Sequence, residues 1–123
     1  MRIPLAMPTL AALLATNLAV MPPAPAMADS AGAGAAVFEL KCAACHALGG
    51  NSINPLKTLK VTALEANGYA SQDALVQLIS NGKGQMPSYG PKAPSFARLT
   101  DEQIQSVAAF TLEQASAGWP GPP

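Results

Sequence analysis

Apolar residues recur at helical spacing in several segments of the chain, and clusters of Gly, Pro and Asn separate these segments. The first segment predicts a helix over residues 32–41, because alanine favours helices and Gly34 and Phe38, at positions i and i+4, share one face. A shorter helix is predicted over residues 62–66, where an Asn-Gly pair follows. No segment shows the sustained alternation of apolar and polar residues that is typical of half-buried strands. The pattern therefore predicts an all-α fold.

Two later helices carry capping signals. Ser71 stands at the start of the segment SQDALVQLISNG as an N-cap, and Gly82 stands just past its end. Thr100, followed at position i+3 by Gln103, is a capping-box pattern that opens the last helix. The apolar faces predicted for the two helices comprise Leu75, Leu78 and Ile79 in the first, and Ile104, Val107, Ala108, Thr111 and Leu112 in the second, with Phe110 beside them.

A long loop is predicted between these two helices. Residues 82–98, GKGQMPSYGPKAPSFAR, contain three prolines and three glycines, which break helices and favour turns. Loops of this length are uncommon in small domains unless they serve a function. We therefore expect this loop to carry a functional residue.

The N-terminal segment 1–28 has the features of an export signal. Arg2 is the only charged residue before Asp29, an apolar run covers positions 10–21, and Ala-Met-Ala ends at Ala28. The run is too short to cross a bilayer as a helix. We therefore predict a cleaved signal peptide over 1–28 rather than an uncleaved membrane anchor, with no stable membrane insertion afterwards. A single domain is predicted over 29–116, followed by a flexible tail over 117–123.

Composition excludes one class of partner and points to a cofactor. The formal net charge is zero and only 11% of the residues are charged, so a nucleic-acid partner held through its phosphates is not expected. Hydrophobic residues make up 50% of the chain but aromatic residues only 5%. Much of the apolar content is alanine, which buries little area, and a small domain with so thin a core often needs a metal, a staple or a cofactor.

The segment KCAACHALGG contains Cys42, Cys45 and His46, which are the only cysteines and the only histidine of the chain. Cys-x-x-Cys-His is the attachment pattern of haem c, in which two thiols form thioethers and the adjacent histidine binds the iron. A structural zinc site normally needs four ligands, and only three are present. A thioredoxin-like redox motif occurs next to β-strands in a βαβ unit, and the sequence predicts no strands. A haem-free thiol–disulfide protein stays an alternative, because an oxidising compartment permits a Cys42–Cys45 disulfide.

Met86 is the only methionine that follows the predicted signal peptide, and it lies in the predicted loop, far beyond His46 in the sequence. Methionine opposite histidine is a known axial pair that raises the reduction potential of haem iron. The alternative is a methionine that fills a gap in the core. With both axial positions filled, the expected activity is outer-sphere electron transfer and not enzymatic catalysis. A peroxidase or a gas sensor would need Met86 off the iron.

Three segments together resemble the class I cytochromes c, and specifically the cytochrome c6 family: GAAVFELKCAACHALGGNSINPLKTL, NGKGQMPSYG and ARLTDEQIQSVAAF. The resemblance covers nearly all of the region that follows the predicted signal peptide. It implies a cytochrome c domain of about four helices around one covalent haem c. It also implies that Gly34 and Phe38 cross the last helix near Phe110.

The resemblance also assigns site residues. It implies thioethers at Cys42 and Cys45 and axial ligands at His46 and Met86. It places Asn51 and Lys57 near the haem and its propionates. It matches Arg98 to an arginine associated with docking to photosystem I. For Lys57 and Arg98 the alternative is ordinary solvated surface charge.

The implied function is that of a soluble carrier of single electrons from the cytochrome b6f complex, through cytochrome f, to photosystem I in the thylakoid lumen. Members of the family often carry Gln where Leu78 stands, and Gln77 should face elsewhere. An apolar residue at that position is expected to lower the potential. The alternative is therefore a lower-potential relative that serves a terminal oxidase or redox signalling, in the lumen or in a bacterial periplasm.

The loop SYGPKAPSF is longer than in compact members. The leader lacks a long plastid transit peptide, which indicates a bacterial or plastid gene or a truncated N-terminus.

Overall fold

The computed structural model describes residues 27–121, together with residues 4 and 19. Most of the predicted signal peptide lies outside the described residues. Within residues 27–121 the chain forms helices and loops, and the one β-type pairing is an isolated bridge between Lys83 and Met86. The helices are α1 (Met27–Lys41), α2 (Ala43–His46), a 3-10 turn (Ala47–Gly49), α3 (Val61–Asn67), α4 (Gln72–Asn81) and α5 (Asp101–Ala117). The prediction of an all-α fold is confirmed. No helix in the described part of the chain has the length and hydropathy to cross a membrane.

Helices α1 and α5 pack closely on each other. A Cβ atom at Gly34 would overlap the backbone of Ser106 and lie 2.8 Å from the Cβ of Phe110. The ring centroids of Phe38 and Phe110 are 5.4 Å apart, in a tilted arrangement. The predicted crossing of the first and last helices is therefore confirmed.

Helix α5 lies at the centre of the core. Ile104, Val107 and Ala108 are at most 1% exposed, and α5 contacts α1, α3 and α4. Leu75 and Ile79 of α4 join the same core, as their helical spacing predicts. The core is small, and a domain with a small core often needs a cofactor for stability.

The predicted caps are present. The Ser71 hydroxyl accepts a hydrogen bond from the backbone N–H of Ala74 at 3.2 Å. Thr100 and Gln103 form a complete capping box at the start of α5. Gly82 follows α4 with a φ of 68°. Gly82 and Thr100 thereby mark the two ends of the long loop.

Residues 82–98 form no helix, as predicted, and backbone hydrogen bonds hold this loop against its neighbours. The N–H of Tyr89 donates to the carbonyl of Ile79 at 3.0 Å, and the N–H of Leu99 donates to the carbonyl of Tyr89 at 2.9 Å. The Tyr89 hydroxyl donates to the carbonyl of Lys41 at 3.0 Å. The loop is thereby tied to both α4 and the end of α1.

The prediction of a flexible tail from residue 117 is wrong for Trp119. Helix α5 ends at Ala117, Gly118 adopts the left-handed conformation, and the chain turns back on itself. Trp119 is only 9% exposed. Its ring centroid lies 5.2 Å from that of Phe38. An indole ring buries a large apolar area, and its N–H needs a partner, so this residue stays with the core.

Candidate functional site

A large cavity of about 690 Å³ opens beside the core. Its walls come from α1 and α2, residues 51–59, helices α3, α4 and α5, Tyr69 and residues 83–89. The volume lies within the range typical of ligand pockets. Leu59, Leu64, Leu75, Leu78 and Ile79 make much of the wall apolar.

Cys42, Cys45 and His46 all line this cavity. Cys42 stands at the junction of α1 and α2, and its carbonyl accepts hydrogen bonds from the N–H groups of Cys45 at 3.1 Å and His46 at 2.8 Å. This single helical turn brings the three side chains to one wall. The two thiols are not bonded to each other. Burial raises the pKa of the Cys42 thiol to about 11, so the free thiol keeps its proton at neutral pH.

The His46 ring is oriented by the backbone. Its Nδ1 lies 2.8 Å from the carbonyl oxygen of Gly50. With the proton on Nδ1, the ring donates to that carbonyl and leaves the Nε2 lone pair free. Histidines that bind metals are commonly held in this way, and the hydrogen bond fixes both tautomer and ring direction.

Met86 lines the same cavity as His46, although the two residues are far apart in the sequence. A tight turn presents it: Lys83 N–H donates to the Met86 carbonyl at 3.1 Å, and Met86 N–H donates to the Lys83 carbonyl at 3.0 Å. Gly82 packs beneath this turn. A Cβ there would lie 2.6 Å from the carbonyl oxygen of Met86.

Asn51 and Lys57 also line the cavity, on the loop that follows the 3-10 turn. The Asn51 amide oxygen accepts from the N–H groups of Ile53 at 3.0 Å and Asn54 at 2.9 Å. Its amide nitrogen donates to the carbonyl of Lys57 at 2.8 Å. Asn51 therefore shapes the loop that forms this wall, and the Lys57 side chain is exposed at its edge.

The charges around the cavity have one sign. Lys41, Lys57 and Lys83 line it, and none of the described Asp or Glu residues does. Tyr69 also lines the cavity and was not predicted from the sequence. Its hydroxyl accepts a hydrogen bond from the Lys83 ammonium at 3.4 Å. Positive charge at the rim favours an anionic group, such as a carboxylate, in the cavity.

Leu78 and Gln77 take the orientations that the sequence predicts. Leu78 lines the cavity. Gln77 is exposed, and its amide oxygen accepts from the Asn81 amide at 3.3 Å. Arg98 is exposed outside the cavity wall and donates to the carbonyl of Ala93 at 2.8 Å. Arg98 therefore closes a local turn and keeps further donors available to solvent.

This arrangement fits haem c. Two thiols and an imidazole share one wall, a thioether lines the same space, and apolar side chains surround a cationic rim. Within residues 27–121, no three or more His, Cys, Asp or Glu side chains cluster in a way that could hold a metal ion directly. The donor set thus favours a porphyrin-held iron over a structural zinc site, which needs four protein ligands.

Comparisons with known proteins agree. The sequence profile of a family described as cytochrome c oxidase, cbb3-type, subunit III, matches residues 29–110. Cytochrome c6 of Rippkaea orientalis is 50% identical over 101 residues, which cover 82% of this chain and 86% of that protein. Cytochrome c6 of Leptolyngbya boryana is 51% identical over 92 residues, covering 75% of this chain and all of that protein.

A solved structure gives the same result for the fold. Oxidised cytochrome c6A from Arabidopsis thaliana superposes with a TM-score of 0.69 at 38% identity, covering 75% of this chain and 96% of that one. The fold is therefore that of the class I cytochromes c. With half of its aligned residues identical to curated cyanobacterial relatives over most of its length, this chain belongs to the cytochrome c6 family and is a monohaem electron carrier with covalently bound haem c.

Proposed function

We propose that this protein carries single electrons from the cytochrome b6f complex, through cytochrome f, to photosystem I in the thylakoid lumen. The observation that carries the proposal is the meeting of Cys42, Cys45, His46 and Met86 around one cavity. Their identities and the similarity to cyanobacterial cytochromes c6 support a carrier of the photosynthetic type. The bacterial periplasm is the alternative location.

The cysteines would attach the cofactor to the chain, and His46 and Met86 would bind its iron. Cys42 and Cys45 would tether the haem through thioethers. His46, oriented by the Gly50 carbonyl, and Met86, presented by its tight turn, would bind its iron. The bound haem supplies a one-electron iron couple, and a Met/His pair gives that couple a raised potential.

The polar residues at the rim have supporting roles. Lys57, with Lys41 and Lys83, places positive charge around the cavity, where it would favour the carboxylates of a bound haem. Asn51 holds the loop that carries Lys57 in shape. Arg98 is exposed and is proposed as a contact to photosystem I. Electron-transfer complexes use small, transient interfaces, and single exposed charges in them change mainly the rate of association.

The test uses the mature protein produced in a host with haem-ligation machinery. We expect one haem per chain, a methionine–iron charge-transfer band in the far red, and rapid reduction of flash-oxidised photosystem I. Met86→Ala should abolish the far-red band, whereas Gln85→Ala, at the exposed neighbour in the same turn, should retain it. A midpoint potential far below that of cytochrome f would refute the photosynthetic role.

Docking through Arg98 is tested in the same reaction. Arg98→Ala should slow the bimolecular reduction of photosystem I several-fold at low salt while the potential stays constant. Lys92→Ala removes another exposed cation of the same loop and is the matched control. Equal rates for the two variants would count against a specific contact at Arg98.

A second candidate function rests on Leu78. This residue lines the cavity at the position where cytochromes c6 often carry Gln, and an apolar neighbour is expected to lower the potential. A lower-potential carrier would serve a terminal oxidase or redox signalling. The profile that matches residues 29–110 is named for an oxidase subunit, which supports a terminal oxidase as a partner. The measured midpoint potential separates the two roles.

The haem-free thiol–disulfide alternative is not retained, because the covalent haem of this family consumes both thiols.

A further inference from the structure

We propose that Trp119 is a positioning residue for His46, acting through the segment that carries the Gly50 carbonyl. The inference rests on the proposed function, in which His46 would bind the haem iron. Trp119 lies near the end of the described chain, far from His46 in the sequence. A short path of contacts nevertheless connects the indole to the imidazole.

The indole of Trp119 is held on several sides. Its N–H donates to the carbonyl of Leu59 at 2.9 Å. Its ring lies 5.2 Å from Phe38 and 6.2 Å from Phe110, centroid to centroid. The backbone of Trp119 has a φ of 53°, which is uncommon for a residue with a bulky side chain. Such a conformation persists only where surrounding contacts enforce it.

The indole packs directly on Gly49. A Cβ atom at this position would overlap the five-membered ring of Trp119. Gly49 also has a φ of 73°, so both the backbone and the ring require glycine there. The Gly49 carbonyl accepts from the N–H of Leu59 at 2.8 Å. Trp119 thus contacts both ends of the loop 49–59. The hydrogen bond between Leu59 and Gly49 closes the loop at this point.

The last step reaches the histidine. Gly50 follows Gly49 directly, and its carbonyl oxygen is the partner of His46 Nδ1 at 2.8 Å. Gly50 N–H donates to the carbonyl of Ala47 at 3.0 Å. The indole packs on the preceding residue, Gly49, and so limits movement of the peptide between the two glycines. Movement of the Gly49–Gly50 peptide would lengthen the hydrogen bond that orients the imidazole.

This arrangement matters to an electron carrier because the partner of Nδ1 tunes the ligand. A hydrogen bond from Nδ1–H makes the imidazole a more basic ligand and fixes its plane. Residues near a chain end are poorly ordered unless they are tied down. Here Trp119 orders the end of the chain, because its indole N–H is hydrogen-bonded to the Leu59 carbonyl. Its ring packs on the segment whose Gly50 carbonyl orients His46.

The experiment uses reduced, diamagnetic holoprotein and measures hydrogen exchange of the His46 Nδ1 proton by NMR. Trp119→Ala removes both the packing and the indole donor, and Trp119→Phe keeps an aromatic ring without the donor. Ile104→Ala is the control, because Ile104 is a buried core residue of α5 that lines no wall of the cavity. The N–H of Tyr89, which is hydrogen-bonded to the carbonyl of Ile79, serves as the reference amide outside the loop 49–59.

We expect exchange of the His46 Nδ1 proton and of the Leu59 amide to accelerate by about five- to tenfold in Trp119→Ala relative to the Tyr89 amide, the factor for loss of one hydrogen bond of typical net strength. Trp119→Phe should give a smaller acceleration of the same two protons. Ile104→Ala should change all protected protons by a common factor. If Trp119→Ala does not mature, the comparison of Trp119→Phe with wild type decides.

Unchanged exchange at His46, or a uniform increase across all protons, would overturn the inference and leave Trp119 as a general stabiliser of the fold. A wild-type holoprotein without spectroscopic signs of histidine ligation would instead overturn the proposed function. The two failures are therefore distinguishable, because the second is visible before any variant is made.

Discussion

Gly34 of α1 lies so close to Ser106 of α5 that no side chain fits between the two helices at that point. The close approach brings the rings of Phe38 and Phe110 together. It also fixes the direction in which α1 delivers Cys42 to the cavity, because α1 ends at Lys41 immediately before it. One missing side chain therefore sets the position of the haem-attachment segment.

Gly34→Ala should destabilise the holoprotein by about 1–3 kcal/mol, the usual cost of inserting an atom into a packed contact. Gly32→Ala is the matched control on the same helix, because a Cβ at Gly32 meets nothing within 4 Å. Alanine in place of an open helical glycine should stabilise by about 0.5–1 kcal/mol. Denaturant unfolding measures both, and effects of the same sign at the two positions would contradict the helix crossing.

Gly82→Ala should displace the turn that presents Met86. Gly82 has a φ of 68° and a ψ of 173°, a region that only glycine adopts readily, and a Cβ would lie 2.6 Å from the Met86 carbonyl oxygen. We expect the far-red methionine–iron band to weaken and the midpoint potential to fall. Gly84→Ala is the control. Gly84 also has a positive φ, of 58°, but open space around its Cβ, so that variant should retain the band.

Leu78→Gln should raise the midpoint potential. Leu78 lines the cavity, and amide N–H groups near the cofactor stabilise the added electron of the reduced state. Gln77→Leu makes the converse change at an exposed neighbour outside the cavity and should leave the potential unchanged. Redox titration of both holoproteins tests this. Similar shifts in the two variants would mean that the potential does not respond to polarity at Leu78 specifically.

Tyr89 should make the folded state sensitive to alkali. Burial raises the pKa of its phenol, and in the haem-free chain negative charge on Cys42 and Cys45, once they ionise to thiolates, raises it further. Thioethers cannot ionise, so of these causes only burial remains in the haem-bound protein. A phenol with a raised pKa in the folded state stabilises the fold fully below about pH 10, the pKa of an unfolded tyrosine. This contribution is lost as the pH rises through the higher pKa of the folded state.

Tyr89→Phe should abolish that alkaline loss while costing about 0.5–1.5 kcal/mol at neutral pH, because the hydrogen bond to the Lys41 carbonyl disappears. Unfolding free energies at a series of pH values, together with difference titration of the phenols, measure both effects. The same pH dependence in wild type and variant would show that another group causes it.

The sequence by itself determined the features that depend on neighbours within one or two helical turns. The caps at Ser71 and Thr100 could be predicted because their partners lie at position i+3. The chemistry of Cys42, Cys45 and His46 could be predicted because one turn of chain sets their spacing. The all-α fold followed from helical periodicity in the same way.

Only the tertiary structure decided how distant segments meet. Met86 could be singled out as the one methionine after the predicted signal peptide, but its place on the cavity wall depends on the path of the whole loop. The amide of Asn51 proved to be engaged in its own loop. The local sequence predicts a flexible tail at Trp119 because Gly and Pro surround it, whereas the partners that bury it, Phe38 and Leu59, lie far away along the chain. Contacts of such separation leave no local signal, because they arise only when packing closes the chain on itself.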